Sequence, residues 1–164
     1  MDELIQFQEN ASGLFVRAQG HITAAVSADL RDMILERLSL PPPPILLAVD
    51  LQACDYMDST FMGLLVGFHK RFKALTGTAL TILRPTQDCV KLLSGLGILK
   101  LMVLVEEGEF PSPTLWKPIS RVHKPTTEFI LSAHKNLSEL SPENTKAFGA
   151  LQSVLEQQIK KEEV

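Results

Sequence analysis

The stretch PILLAVDLQACDYMDSTFMGLL, residues 44–65, joins an apolar run to a segment with helical spacing. Its first part, ILLAVDL, has the composition of a central strand that is covered on both faces of a sheet. The segment STFMGLLVGFHKRFKALTG repeats apolar residues on one side of a helix and ends at Gly77, a natural C-terminal stop. One acid and two hydroxyls, Asp58, Ser59 and Thr60, lie where the strand gives way to the helix. Such residues favour a helix start.

Strand and helix signals alternate on both sides of this junction. Residues 4–19 predict a two-stranded hairpin that Gly20 ends, and Thr23 is a candidate cap for a helix that stops at SLPPPP. After the junction, ALTILR predicts a strand, PTQDCVKLLSGLG a helix and LMVLVEE a last strand. The sequence therefore predicts an α/β fold: a mixed, mostly parallel sheet with right-handed crossovers and one antiparallel strand from the opening hairpin.

The chain is predicted to divide into three parts: a domain over 1–107, a linker over 108–125 and a helical hairpin over 126–164. The linker is rich in Pro and Ser, and we expect Leu115 and Trp116 to pin it to the domain. The hairpin consists of two amphipathic helices, the second with an N-cap serine and a proline in its first turn. Their apolar faces comprise Phe129, Ile130, Ala133, Leu137 and Leu140, then Phe148, Leu151, Val154, Leu155 and Ile159.

The composition narrows the class of protein. With 164 residues, 45% hydrophobic and 21% charged, the chain is typical of a folded protein. Its formal charge of -3 argues against direct nucleic-acid binding. No apolar run is long enough to span a bilayer, and the N-terminus lacks a signal peptide's pattern. Cys54 and Cys89 have no pairing motif, so we expect reduced thiols and a cytoplasmic location.

The order of elements around DYMDSTFMGLLVGFHKRFK and LTILRPTQDCVKLLSGLGILKLM resembles the STAS domain, specifically the anti-sigma factor antagonists. That family carries Asp-Ser-(Ser/Thr)-Gly at the junction of strand and helix, and its serine is phosphorylated. On this chain the resemblance assigns phosphorylation to Ser59, preceded by Asp58. The resemblance covers about residues 4 to 106. The sequence departs from the family pattern at His21, Thr23 and Phe61, and the ring of Phe61 is expected to narrow a kinase's access to Ser59.

The resemblance implies a function without catalysis or cofactor. Unphosphorylated, the protein would bind a serine kinase that is also an anti-sigma factor; phosphorylated at Ser59, it would let go, and a serine phosphatase would reset it. A helix N-terminus tolerates a phosphate, which adds a charge of about -1.5 to -2. The alternative function is a constitutive STAS scaffold in which Ser59 only caps the helix.

The predicted partner-binding surface surrounds that serine: Asp58, Thr60, Phe61, Met62, Gly63 and Val66. Each has a structural alternative, because Asp58 suits a cap and the small or apolar residues suit packing against the sheet. Thr60 is a second candidate acceptor. The basic residues at 69–71 and 73 are interpreted as a solvated face. The hairpin is interpreted as a cover for the domain, with a homodimer or a second partner surface as the alternative.

Other chemistries find little support in the sequence. The four histidines and two cysteines lack metal-ligand spacing, and no Gly-x-Ser-x-Gly or Gly-rich phosphate loop occurs. An aspartyl-phosphate receiver would need an acidic cluster with Mg²⁺, which Asp50 and Asp55 alone do not supply.

Overall fold

The computed structural model describes residues 3–107, 115–120 and 122–163. Seven strands form its sheet. They are β1 (Leu4–Asn10), β2 (Gly13–Ile22), β3 (Leu47–Asp50), β4 (Cys54–Met57), β5 (Thr81–Leu83), β6 (Val103–Val105) and β7 (Lys117–Pro118). The strand order is β6-β5-β3-β2-β1-β7, and β4 pairs with the far end of β2. The β2–β3, β2–β4, β3–β5 and β5–β6 pairs are parallel, whereas β1 runs antiparallel to β2 and to β7. The predicted mixed, mostly parallel sheet is confirmed.

Five α-helices accompany the sheet in the described part of the chain. They are α1 (Ser27–Leu38), α2 (Ser59–Thr76), α3 (Gln87–Gly95), α4 (Thr127–Ser138) and α5 (Pro142–Glu162). A hydroxyl or carboxylate caps each start after α1: Asp58, Thr86, Thr126 and Ser141. Thr23 caps a 3₁₀ turn, Ala24–Val26, that leads into α1, so the first helix begins later than the sequence indicates.

The main hydrophobic core lies between the sheet and the helices. Strand residues that point to one face of the sheet, such as Leu14, Val16, Leu47 and Val49, are buried against α1, α2 and α3. Helix α2 contributes three of the largest buried side chains, the rings of Phe61, Phe68 and Phe72. All four residues of β3 are buried, as the apolar run predicts. This core holds α2 against the sheet, and a single residue, Asp58, separates the end of β4 from the first residue of α2.

The opposite face of the sheet carries a smaller cluster, formed by Phe15, Ala48 and Leu83 with Trp116 packed against it. The Arg17 guanidinium lies 4.3 Å from the centre of the Trp116 ring. Trp116 therefore anchors its segment as expected, whereas the Leu115 side chain is 57% exposed and that expectation is wrong. Within the predicted linker, β7 adds an edge strand; residues 108–114 and 121 lie outside the described residues.

Two features of the sheet differ from the sequence prediction. Strand β2 does not end at Gly20; it continues to Ile22 through a register shift at Gly20 and His21, where Gly20 has φ of 81°. The extra length pairs with β4, a strand that the sequence did not predict. Strand β4 has only four residues, with its two middle side chains exposed, so neither alternation nor an apolar run marked it.

The C-terminal helices α4 and α5 form the predicted hairpin, and α4 packs along α2. Asn144 of α5 donates hydrogen bonds to the carbonyl oxygens of Leu96 (2.9 Å) and Leu137 (3.0 Å), which ties the hairpin to the end of α3. The predicted apolar stripe of α5 is wrong in part, because Leu151 and Val154 are 41% and 58% exposed. Helix α5 therefore buries a narrower face than its sequence indicates.

His69 does not belong to the solvated basic face. Its Nδ1 accepts a hydrogen bond from the Leu80 backbone N–H at 3.2 Å, and its side chain is buried. Burial, with help from the charges of Lys73 and Lys70, lowers the pKa of His69. The neighbouring cations at 70, 71 and 73 are exposed, as predicted.

The two cysteines are free thiols that the fold brings together despite their distance in sequence. Both are buried, and Cys89 Sγ donates to the Cys54 carbonyl oxygen at 3.4 Å. Contact with Cys89 and burial raise the pKa of Cys54, whereas the side-chain contact with Cys54 lowers the pKa of Cys89 to about 7.

Candidate functional site

Asp58 links two helix starts at the junction that follows β4. Its Oδ1 accepts from the Phe61 N–H at 2.9 Å, which caps α2, and its Oδ2 accepts from the Ala24 N–H at 2.8 Å. Both carboxylate oxygens are therefore used by the fold. The predicted role of Asp58 as a helix cap is confirmed.

Ser59 is the first residue of α2 and not its cap. Its half-buried hydroxyl forms one hydrogen bond within the described part of the chain, to His134 Nε2 on α4 at 2.8 Å. His134 Nδ1 lies 2.8 Å from the Ile130 carbonyl oxygen, which can only accept. Nδ1 therefore carries the proton in the neutral ring, and the Ser59 hydroxyl donates to Nε2.

Helix α4 covers α2 just beyond this pair. Gly63 lies directly beneath Ala133, and a Cβ added at Gly63 would be 2.6 Å from the Ala133 carbonyl carbon. Asn136 Nδ2 donates to the Gly63 carbonyl oxygen at 3.2 Å. The close approach of the two backbones explains why α2 has a glycine at this position.

The residues predicted to bind a partner fall into two groups. Phe61 and Val66 are fully buried in the main core, and Thr60 is 5% exposed. Met62 is 5% exposed, and Gly63 is covered by α4, so a partner would reach Gly63 only after α4 had moved. The expectation that Phe61 narrows access to Ser59 is wrong, because its ring points into the core; His134 is the side chain at the hydroxyl.

A groove of about 430 Å³ opens on the other side of Ser59. Tyr56, Met62, Lys91 and Phe148 line it together with Asp58 and residues of α3. The Tyr56 ring stacks on His21 with centroids 4.3 Å apart, so this departure from the family pattern has a packing role. Ser59 thus lies between a covered face of α2 and an accessible groove.

His134 is the site residue that sequence reasoning did not find. A signal for it was present in the sequence. Residues 130, 133, 134 and 137 share one face of α4, and a histidine on that face is buried. The sequence could not show which element that face covers, since Ser59 and His134 lie 75 positions apart.

The two acids of the receiver alternative, Asp50 and Asp55, lie in different environments. Asp50 is buried and ion-paired with Arg17 (3.4 Å) and Arg84 (3.1 Å), whereas Asp55 is exposed. In the described residues, no cluster of three or more His, Cys, Asp or Glu is arranged to hold a metal ion. Within residues 3–107, 115–120 and 122–163, no helix is both long and apolar enough to cross a membrane.

The STAS domain model matches residues 4–110, and the chain therefore belongs to the STAS domain family. No curated protein matches the sequence. STAS domains generally interact with partner proteins and are generally not enzymes. Membership supports a general role like that of an anti-sigma factor antagonist or of a STAS scaffold.

Proposed function

We propose that this protein is a partner-switching regulator of the anti-sigma factor antagonist type, controlled by phosphorylation of Ser59. The unmodified chain binds a serine kinase that is also an anti-sigma factor, and the phosphorylated chain releases it. A serine phosphatase restores binding. The groove beside Ser59, which Asp58 and Met62 of the predicted surface line, forms the contact.

One observation carries this proposal: Asp58 caps α2 with both carboxylate oxygens engaged, so the fold does not need the Ser59 hydroxyl as a cap. Helix capping, the usual structural reason for a serine at a helix start, therefore does not account for Ser59. A phosphate here would lie at the N-terminus of an 18-residue helix, whose dipole and unpaired N–H groups favour an anion. Ser59 also borders an accessible groove, whereas Thr60 is buried, which favours Ser59 as the acceptor.

Phosphopeptide mass spectrometry on the protein isolated from its own host tests the modification. We expect phosphate on Ser59 in part of the population, and none on Thr60. An unmodified Ser59 across several growth and stress conditions would contradict the switch.

Affinity capture from the same host with variant chains tests the consequence. Ser59→Ala is expected to retain the kinase and Ser59→Asp to lose it, because the added charge lies in the contact. Ser153→Asp is the matched control, since it adds the same charge at an exposed position of α5. Equal capture by the Ala and Asp forms would favour the second candidate, a constitutive scaffold, which the covering of α2 by α4 supports.

A further inference from the structure

We propose that the face of α2 under α4 is a helix-binding surface, and that α4 is its removable intramolecular occupant. The surface runs along α2 through Ser59, Gly63, Gly67 and Lys70. The external occupant would be a partner helix that resembles α4 in chemistry. The binding of an external helix to this surface rests on the proposed function. The existence of a removable cover does not.

The polar character of the contact is the first argument. Three polar pairs run along it: Ser59 with His134, the Gly63 carbonyl with Asn136, and Lys70 with Glu139 at 2.8 Å. Water can replace each of these hydrogen bonds when α4 leaves, so the cost of opening comes mainly from the apolar residues of α4 in the main core, Phe129 and Leu137. The inner face of α2, in contrast, is built from aromatic rings and leucine.

Incomplete packing is the second argument. A groove of about 380 Å³ that is partly open to solvent lies between α1, α2 and α4, lined by Leu64, Phe68 and Phe129 and by three cations. The cations are Arg31, Lys70 and Arg71. Side chains that face this groove lack the dispersion contacts that a closed interface would give them. The contact between α2 and α4 is therefore weaker than its length suggests.

The covered face also defines what can bind it. Phe129, Ala133 and Leu137 of α4 are buried at spacings of four, with the small residue at the crossing over Gly63. A replacement helix needs the same pattern: a large apolar residue, a small one four positions later and another apolar one after that. It also needs a hydrogen-bond acceptor beside Ser59, where α4 offers His134 Nε2.

The cover and the modification compete for the Ser59 hydroxyl. A phosphate on the Ser59 oxygen replaces the proton that the hydroxyl donates to Nε2 of His134, so phosphorylation removes this hydrogen bond and favours the open form. The hydroxyl is engaged with His134 while α4 is closed, so a kinase would act on the open form. The chain then has three states: closed, open with a helix bound, and open with phosphate.

A fluorescent peptide with the sequence of residues 126–140 tests the removable cover on the full-length chain. In the wild-type protein the tethered α4 competes at about millimolar effective concentration, so the peptide binds weakly. The double variant His134→Ala, Asn136→Ala weakens only the tethered copy, and its affinity for the wild-type peptide should rise about tenfold. Lys135→Ala, on the exposed side of α4, is the matched control and should bind like the wild type.

A second substitution locates the peptide. Adding Gly63→Ala to the double variant places a methyl group against the incoming helix and should remove the gain, while Gly149→Ala, with open space around it, should not. Circular dichroism establishes that each variant is folded. A folded double variant with no gain over the wild type would overturn the inference, and so would a gain that survives Gly63→Ala. Neither readout depends on phosphorylation, so the inference and the proposed function can fail separately.

Discussion

The two faces of α2 carry different kinds of side chain. The inner face carries Phe61, Leu65, Phe68 and Phe72, all at most 1% exposed and packed in the main core. The outer face carries Ser59 and Gly63, and it meets α4 through polar pairs and one close backbone crossing, while Phe129 and Leu137 of α4 join the main core. Water or another helix can replace the polar pairs of the outer face, whereas the inner face consists of large apolar side chains. One helix thus serves both as part of the core and as a surface to be exchanged.

The largest effect should come from the inner face. Phe61→Ala removes a fully buried ring and should lower the free energy of unfolding by about 3–5 kcal/mol, measured by urea denaturation. Leu75→Ala, at a position of α2 that is 45% exposed, is the control and should change it by less than about 1 kcal/mol. A small decrease in the free energy of unfolding for Phe61→Ala would mean that the inner face is not the face held permanently in the core.

An intermediate effect is expected from the close crossing on the outer face. Gly63→Ala forces α4 away, at a cost of about 1–3 kcal/mol that a gain in helix propensity of up to about 1 kcal/mol offsets in part. Hydrogen exchange should accelerate in α4 and leave β3 protected. Gly149→Ala should leave both unchanged. If β3 lost protection together with α4, the two faces would not be separable.

The Ser59–His134 pair should contribute a smaller, specific amount. A double-mutant cycle with Ser59→Ala and His134→Ala should give a coupling energy of about 0.5–1.5 kcal/mol, the range of one hydrogen bond. Denaturation of the wild type, the two single variants and the double variant measures this coupling energy. Additive effects of the two substitutions would show that the hydroxyl and the ring do not interact.

The mildest perturbation is a change of pH. Because burial lowers the pKa of His69, the folded protein resists its protonation more than the unfolded chain does. The stabilising contribution of neutral His69 is therefore complete above pH 6.5 and declines as the pH falls below that value. Urea denaturation between pH 7.5 and 5.5 should show this decline, and His69→Gln should flatten it. An equal slope in the variant would assign the effect to another group.

The sequence was most informative where a local pattern determines the structure. The apolar run before Asp50 predicted β3, and the capping residues Asp58 and Ser141 predicted helix starts, because both depend on neighbours in sequence. The resemblance to the STAS family pointed to Ser59. The features that the sequence did not predict depend on contacts between residues far apart in the chain. Strand β4 is a strand only because β2 lies beside it, and no local signal pairs His134 with Ser59.

The most direct test of a switch at Ser59 under a removable cover is hydrogen exchange on the full chain with phosphoserine incorporated at position 59. Compared with the unmodified chain, faster exchange throughout α4 and in the first turn of α2 is predicted, with β3 and α1 unchanged. The phosphate replaces the proton that Ser59 donates to His134 Nε2, and so removes the hydrogen bond that holds this end of α4 in place. Unchanged or slower exchange in α4 would contradict the account, because it would show that a phosphate on Ser59 leaves the cover in place.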